Sequence, residues 1–276
     1  MNGECQAVWA ELASVTADRL AEPELADAHR VAELTMERVA ANIATLVVRL
    51  TVMGYRFGAC YSSNVRRQSI EDLGLRDSMA AAGRDTTWID RGDLEERVMG
   101  WAGPREDIDK LIARVEDVVG PLPLALRALV RSVDTVDLSG SFPSWDPSAF
   151  NFDTDPEWPT FGVVSDALSL TPVETVEEYV NPATDEIRRD FLDGKTFGLT
   201  LKPDHRLMAN FAGGHVTIAV PSGSIDPVLD GVYGRPGIRL TDYLRVVFSW
   251  GGFPGFEFAP SVPPELDALR NGLLEI

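Results

Sequence analysis

Lysine, histidine and cysteine are almost missing from this chain: its 276 residues hold Lys110, Lys195 and Lys202, His29, His205 and His215, and Cys5 and Cys60. Two cysteines make no disulfide framework. Three scattered histidines, with no Cys-x-x-Cys or His-x-x-x-His, give no zinc ligand spacing, so no metal is expected. The start, MNGECQAVWAEL, lacks a cationic segment followed by an apolar one and does not read as a signal peptide. The longest apolar run, near Ile43–Met53, is interrupted by Arg49 and is too short to span a bilayer. A cytoplasmic protein with reduced thiols is the expectation.

Basic residues are also missing locally. Between Arg131 and Arg188 there is no Lys, Arg or His, while the same 56 residues carry 12 acids, seven aromatics and six prolines. The chain as a whole has a formal net charge of −18. The charge is clustered: residues 1–103 hold 16 acids and 11 bases, leaving 27 acids and 14 bases for the remainder. Such a field repels nucleic-acid phosphate and anionic lipid and favours a cationic partner. A charge run of this kind is ordinarily a solvated face that keeps a protein soluble.

What is present reads as helices followed by strands. Residues 6–20 suggest a first helix with Val8, Leu12, Val15 and Leu20 near helical spacing. Pro23 is placed to start a second. Its apolar positions Val39, Ile43, Leu46, Leu50 and Met53 step by four, three, four and three, and Gly54 is a natural stop. That stripe is read as a core face, with a self-association seam as the alternative. Residues 55–102 read as an irregular insert with turns and a short helix around Leu94–Trp101. Pro104 opens a helix carrying Ile108, Leu111, Ile112, Val115 and Val118, closed by Gly120. Leu122–Pro123 introduces a helix over Leu124–Val133.

Thr135–Leu138 suits a strand. The Pro-rich acidic segment 142–159 is a long loop of the kind usually tied to function. Further strands are expected at Phe161–Val164, Ala167–Leu170, Thr196–Lys202 and Val216–Val220. Helices follow at Thr241–Trp250 and Pro264–Leu274, with a sharp turn at Gly251-Gly-Phe-Pro-Gly255 between them. The expected class is therefore α+β: an N-terminal helical region, 1–103, followed by a mostly antiparallel sheet flanked by helices, 104–276.

Taken in order, residues 104–250 resemble the SUKH superfamily of bacterial immunity proteins and cell-wall-assembly regulators. The resemblance rests on four stretches: Leu122–Pro123 before the second helix; the strand-to-helix crossing Leu168-Ser-Leu-Thr-Pro-Val-Glu174; Gly213-Gly-His-Val-Thr-Ile-Ala-Val220; and Leu240-Thr-Asp-Tyr-Leu244. Three further blocks are similar to a group of uncharacterised bacterial proteins: Lys202-Pro-Asp204, Ala209-Asn-x-x-Gly-Gly214 and Trp250-Gly-Gly-Phe-Pro-Gly255. The superfamily resemblance implies a non-enzymatic binding scaffold that neutralises a toxin by direct contact. A nuclease toxin needs a cationic cleft for phosphate, so an acidic inhibitor surface complements it.

The candidate partner-binding residues lie in the acidic loop: Trp145 and Trp158 as apolar anchors, Asp146, Asp153, Asp155 and Glu157 as charged ones. Asp153-x-Asp155-x-Glu157 also resembles the start of a calcium loop. The positions needing Gly and Glu hold Trp158 and Val164 instead. No cofactor motif is found. Gly213–Gly214 and Gly251–Gly252 lack the Lys-Ser/Thr of a phosphate loop, and tight turns at positive φ account for them. There is no Gly-x-Ser-x-Gly. Cys60 would be a nucleophile only with a histidine folded beside it.

Two readings stay open. One is a protein-binding module, an immunity protein facing a cationic toxin domain. The other is an enzyme with a carboxylate-based active site in a cleft between the helical region and the sheet. It would need two converging carboxylates, or a pocket of Asp204, His205, Asn210, Gly213 and Gly214.

Overall fold

A computed structural model describes residues 4–57, 101–138, 140–141, 167–170, 172, 197–202, 216–220, 222–232, 234–258 and 262–276. The described residues form an α+β fold with helices leading and small antiparallel sheets following.

The first helix, α1 (Glu4–Leu12), is shorter than its apolar spacing predicts. Beyond Leu12 the chain leaves the helical path because Thr16 bridges to Ser224 and the Ala17 N–H donates to the Gly223 carbonyl at 2.9 Å. Tertiary pairing overrides local propensity there. The inward face is also rotated from the expected one. Val8 is 40% exposed, whereas Trp9 is 2% exposed and donates its Nε1–H to Thr35 Oγ1 at 3.1 Å.

Helix α2 (Glu22–Val52) is the longest helix among the described residues, roughly 45 Å at 1.5 Å per residue. Pro23 lies in its first turn, where no N–H is required, and the Glu24 carboxylate accepts the Ala21 N–H at 3.0 Å. Ala28, Ala32, Met36, Val39, Ile43, Leu46 and Leu50 are buried along one stripe. The heptad pattern is thus a core face. It is covered within one copy of the chain, and the seam reading falls with it. Met53 and Gly54 (φ +82°) end the helix, and Tyr55 then donates its hydroxyl to the Leu138 carbonyl at 2.6 Å.

Strand β1 (Arg56–Phe57) follows, and β2 (Trp101–Ala102) lies beyond residues 58–100. Trp101 is therefore in a strand, paired with Val136, and not in a helix as its local pattern suggests. Residues 94–100 lie outside the described residues. Helix α3 (Ile108–Val119) starts four residues after Pro104 and ends at Gly120 (φ +79°). Helix α4 (Leu124–Ser132) begins directly after Pro123, and its first-turn Ala125 N–H is accepted by Ile225. Leu124, Ala125, Leu126, Ala128, Leu129 and Val130 are buried around its circumference. Arg127 and Arg131, four residues apart, form its one polar edge, so the rest of the helix is set into the interior. It packs against α2, α3 and a later helix, α5 (Leu240–Ser249).

The strands β3 (Thr135–Asp137), β4 (Gly140–Ser141) and β5 (Ser169–Leu170) complete two small sheets, ordered β2-β3-β5 and β1-β4. A third sheet joins β6 (Phe197–Lys202), β7 (Val216–Val220) and β8 (Leu229–Asp230) in chain order. Every pairing is antiparallel. In β7, buried Val216, Ile218 and Val220 alternate with less buried Thr217 and Ala219, the period of a sheet with one covered face. Strands β1, β4 and β8 have only two residues each, too short for an alternating pattern to mark them.

One apolar core draws on both sides of residue 103: Trp9, Met36, Ile43 and Leu46 share it with Ile112, Leu129, Ile218 and Val247. Strand β2, before that position, is hydrogen-bonded to β3 beyond it. After α5, Gly251 (φ +59°) and Gly252 (φ +92°) make the sharp turn read from the sequence. Both also allow close approach. A Cβ on Gly251 would lie 2.8 Å from Leu269 Cβ, and one on Gly252 would lie 2.8 Å from Leu138 Cδ1. The turn leads to a 3-10 segment, Pro254–Phe258, and to α6 (Glu265–Arg270). Among the described residues, no helix is long and apolar enough to cross a membrane.

Candidate functional site

The residues singled out from the sequence fall outside the described residues. This holds for Trp145, Asp146, Asp153, Asp155, Glu157 and Trp158, and for Asp204, His205, Asn210, Gly213 and Gly214. Their points of attachment are described. In the chain the acidic segment follows β4 and precedes Ala167. On the way out and back the chain is closely paired: Asp137 is opposite Ser169, and the Leu138 N–H donates to the Leu168 carbonyl at 2.8 Å. Asp134 and Asp137 belong to the base-free stretch, but Asp137 is buried in β3, and both make polar contacts within the fold. They are not part of a free acidic face. Residues 203–215 connect β6 to β7, whose facing ends pair Lys202 with Val216.

The described residues contain a cleft that no sequence motif announces. It has a volume of about 320 Å³ and lies between α1 and the start of α5. Trp9, Ala10, Ala13 and Ser14 line one side; Asp226, Arg239, Thr241, Asp242 and Arg245 line the other. It holds two aspartates, but it lies between two helices and a loop rather than between the helical region and the sheet, where the carboxylate-based site is expected from the sequence.

The hydrogen bonds assign those groups to work within the fold. The Asp226 carboxylate is 1% exposed. One oxygen accepts the Thr241 N–H at 3.2 Å and the other accepts the Thr241 hydroxyl at 2.6 Å. A carboxylate at the positive end of a helix is stabilising, and here it comes from a loop rather than from the capping position itself. Burial nevertheless dominates and pushes the Asp226 carboxyl above the usual range, against the lowering effects of Thr241 and the Arg239 charge. The Asp226 carbonyl accepts from Ser224 Oγ at 2.8 Å and from Arg239 Nη1 at 2.7 Å. Asp242 accepts from Arg245 Nη1 at 2.6 Å, and Arg245 Nε donates to the Ile276 carbonyl at 2.8 Å. The remaining nitrogen, Arg245 Nη2, is buried and has no hydrogen-bond partner among the described residues. The sequence signals were small: an Asp-Pro turn, and Asp242 three residues before Arg245 at a helix start.

Several basic residues elsewhere are similarly engaged. Arg127 pairs with Glu116 at 3.6 Å, Arg131 with Asp109 at 2.8 Å, Arg270 with Asp267 at 2.6 Å, and Arg235 with Glu257. His29, on α2, is pushed below its usual value by burial first and by Arg127 and Arg131 next. Among the described residues, no group of three or more His, Cys, Asp or Glu side chains is arranged to hold a metal ion.

No protein-family model matches this chain, and no curated protein or solved structure matches it either.

Proposed function

We propose that this protein is a cytoplasmic binding module that docks a cationic protein partner through its base-free acidic stretch, centred on residues 142–159. The observation that carries this reading is the coincidence of charge and attachment. Twelve acids stand without one base across residues 132–187. Arg127 and Arg131, the nearest bases upstream, pair with Glu116 and with Asp109 and Glu33. Strong counter-charge for the loop must therefore come from farther along the chain or from another molecule. The chain before and after the base-free loop is held side by side where β3 pairs with β5, Asp137 opposite Ser169. The resemblance of its motifs to the SUKH superfamily supports a toxin domain as the partner and an immunity role for the protein.

The test is affinity capture from the native host, followed by the substitutions Asp153→Lys and Trp158→Ala. Each should weaken capture at least about tenfold, as a charged or aromatic anchor does at an interface. Equal capture by both variants, or capture only at high salt, would sink the reading.

The second reading, a carboxylate-based enzyme, is favoured by one observation: Asp226 and Asp242 both line the α1–α5 cleft. Against it, both Asp226 oxygens are held by Thr241, and Asp242 is held by Arg245. An Asp242→Asn variant that lost a substrate-dependent turnover, while keeping its melting temperature, would move the conclusion to this reading.

A further inference from the structure

Residues 271–276 follow α6 without forming a helix or strand of their own, yet four side chains hold the chain around them. Arg49 of α2 donates to the Leu269 carbonyl at 2.5 Å, at the end of α6. Asn42 of α2 makes a paired contact with Leu274: its Nδ2 donates to the Leu274 carbonyl at 2.9 Å, and its Oδ1 accepts the Leu274 N–H at 2.7 Å. Arg38 of α2 donates to the Glu275 carbonyl at 3.1 Å, and Arg245 of α5 donates to that of Ile276. As the partner number on α2 falls from 49 to 38, the contacted position rises from 269 to 275, so the segment runs antiparallel to the helix.

All of these contacts fall on backbone groups. The Asn42 amide offers Leu274 the donor and acceptor pair that a neighbouring strand would offer. Side-chain burial is divided: Leu274 is 51% exposed and Glu275 is exposed, whereas Leu273 is half-buried against the core and Ile276 is buried in it. The segment is joined to α6 through Asn271 and Gly272, the latter at φ +70°. A segment that inserts two apolar side chains and is otherwise fastened at discrete polar points opens at lower free energy than the core beneath it.

Its last contact reaches the cleft. Arg245 is held between Ile276 on one side and Asp242 on the other, and both Asp242 and Arg245 line the cleft. Nε and Nη2 lie on one edge of a guanidinium group, and Nη2 already lacks a hydrogen-bond partner among the described residues. Detaching Ile276 would leave that whole edge free.

We propose that residues 271–276 are a releasable strap over a groove that reads extended backbone, and that its release frees the Nε edge of Arg245 beside the α1–α5 cleft. The test uses the full chain and amide hydrogen exchange. The Leu274 N–H should exchange at least about tenfold faster than the Leu46 N–H, showing a local opening below global unfolding. Arg38→Ala, an exposed site whose loss leaves the core intact, should speed Leu274 exchange further without changing Leu46. An amidated peptide of sequence NGLLEI, in excess, should bind and raise Leu274 exchange by competing for the groove. The same peptide N-methylated at its second leucine should not, having lost the donor that Asn42 accepts. Equal exchange at Leu274 and Leu46, or no difference between the two peptides, would overturn the proposal.

Discussion

Asn42 and Asp226 both sit at 1% exposure, and each ties a distant segment to a helix. Asn42, inside α2, holds the Leu274 peptide group through one donated and one accepted hydrogen bond. Asp226, in the loop before β8, holds the start of α5 through the Thr241 N–H and hydroxyl. The difference is charge. The amide of Asn42 matches its partner without an ion, so its fastening is indifferent to pH. The carboxylate of Asp226 bears the cost of burial whenever it ionises, and its fastening varies with pH. A neutral buried amide makes a fixed joint and a buried carboxylate an adjustable one. The adjustable joint is the one that lines the cleft.

The comparison can be broken most severely at Asn42. Asn42→Asp keeps the acceptor for the Leu274 N–H but sets a carboxylate against the Leu274 carbonyl. The expected loss is about 3 kcal/mol or more at neutral pH, smaller at pH 4 where the new group is protonated. Denaturant melts at the two pH values check it. Asn42→Ala should cost less, about 2 kcal/mol, because water reaches part of the vacated site.

Asp226→Asn should sharpen the contrast at still smaller cost, about 1 kcal/mol or below, since an amide oxygen still accepts the Thr241 N–H. Its main effect is on pH dependence. The folded pKa of Asp226 lies above the ordinary 3.8, so the folded state binds the proton more tightly than the unfolded one. The stability Asp226 contributes is complete below 3.8 and declines as pH rises through the folded value. The melting temperature of the wild type minus that of Asp226→Asn should therefore fall as pH rises above the ordinary 3.8. A flat difference would mean that Asp226 and Asn42 are joints of the same kind. His29→Gln should give the smallest effect, of opposite sign. His29 is depressed below 6.5, so its cost appears only as pH falls beneath that value, and the variant should lose less stability there than the wild type.

Much of the helical framework was legible along the chain. Val39, Ile43, Leu46 and Leu50 announced the buried face of α2 because a helix repeats its surface every three to four residues. Gly54, Gly120 and Gly251–Gly252 announced its turns because their φ angles suit glycine. The end of α1 was not legible. Its last predicted residues obey helical spacing, but Thr16 finds Ser224 more than two hundred positions away. Nor was Trp9 separable from Val8, since adjacent positions on a short helix differ only in what the rest of the fold brings against them. The cleft was missed for the same reason: Trp9, Asp226 and Arg245 converge across the fold. The loop residues chosen for binding, Trp145 to Trp158, stand on composition and motif alone.

By itself, then, the chain determined its class, the inward face of its long helix, several of its turns and the acidic bias of its middle. Each follows from short-range periodicity, backbone sterics or summed charge, which need no knowledge of distant neighbours. The tertiary structure alone decided which buried polar groups meet. A hydrogen bond is worth having in the interior only when both partners arrive together. The pairings of Asn42 with Leu274 and Asp226 with Thr241 join positions that nothing local relates.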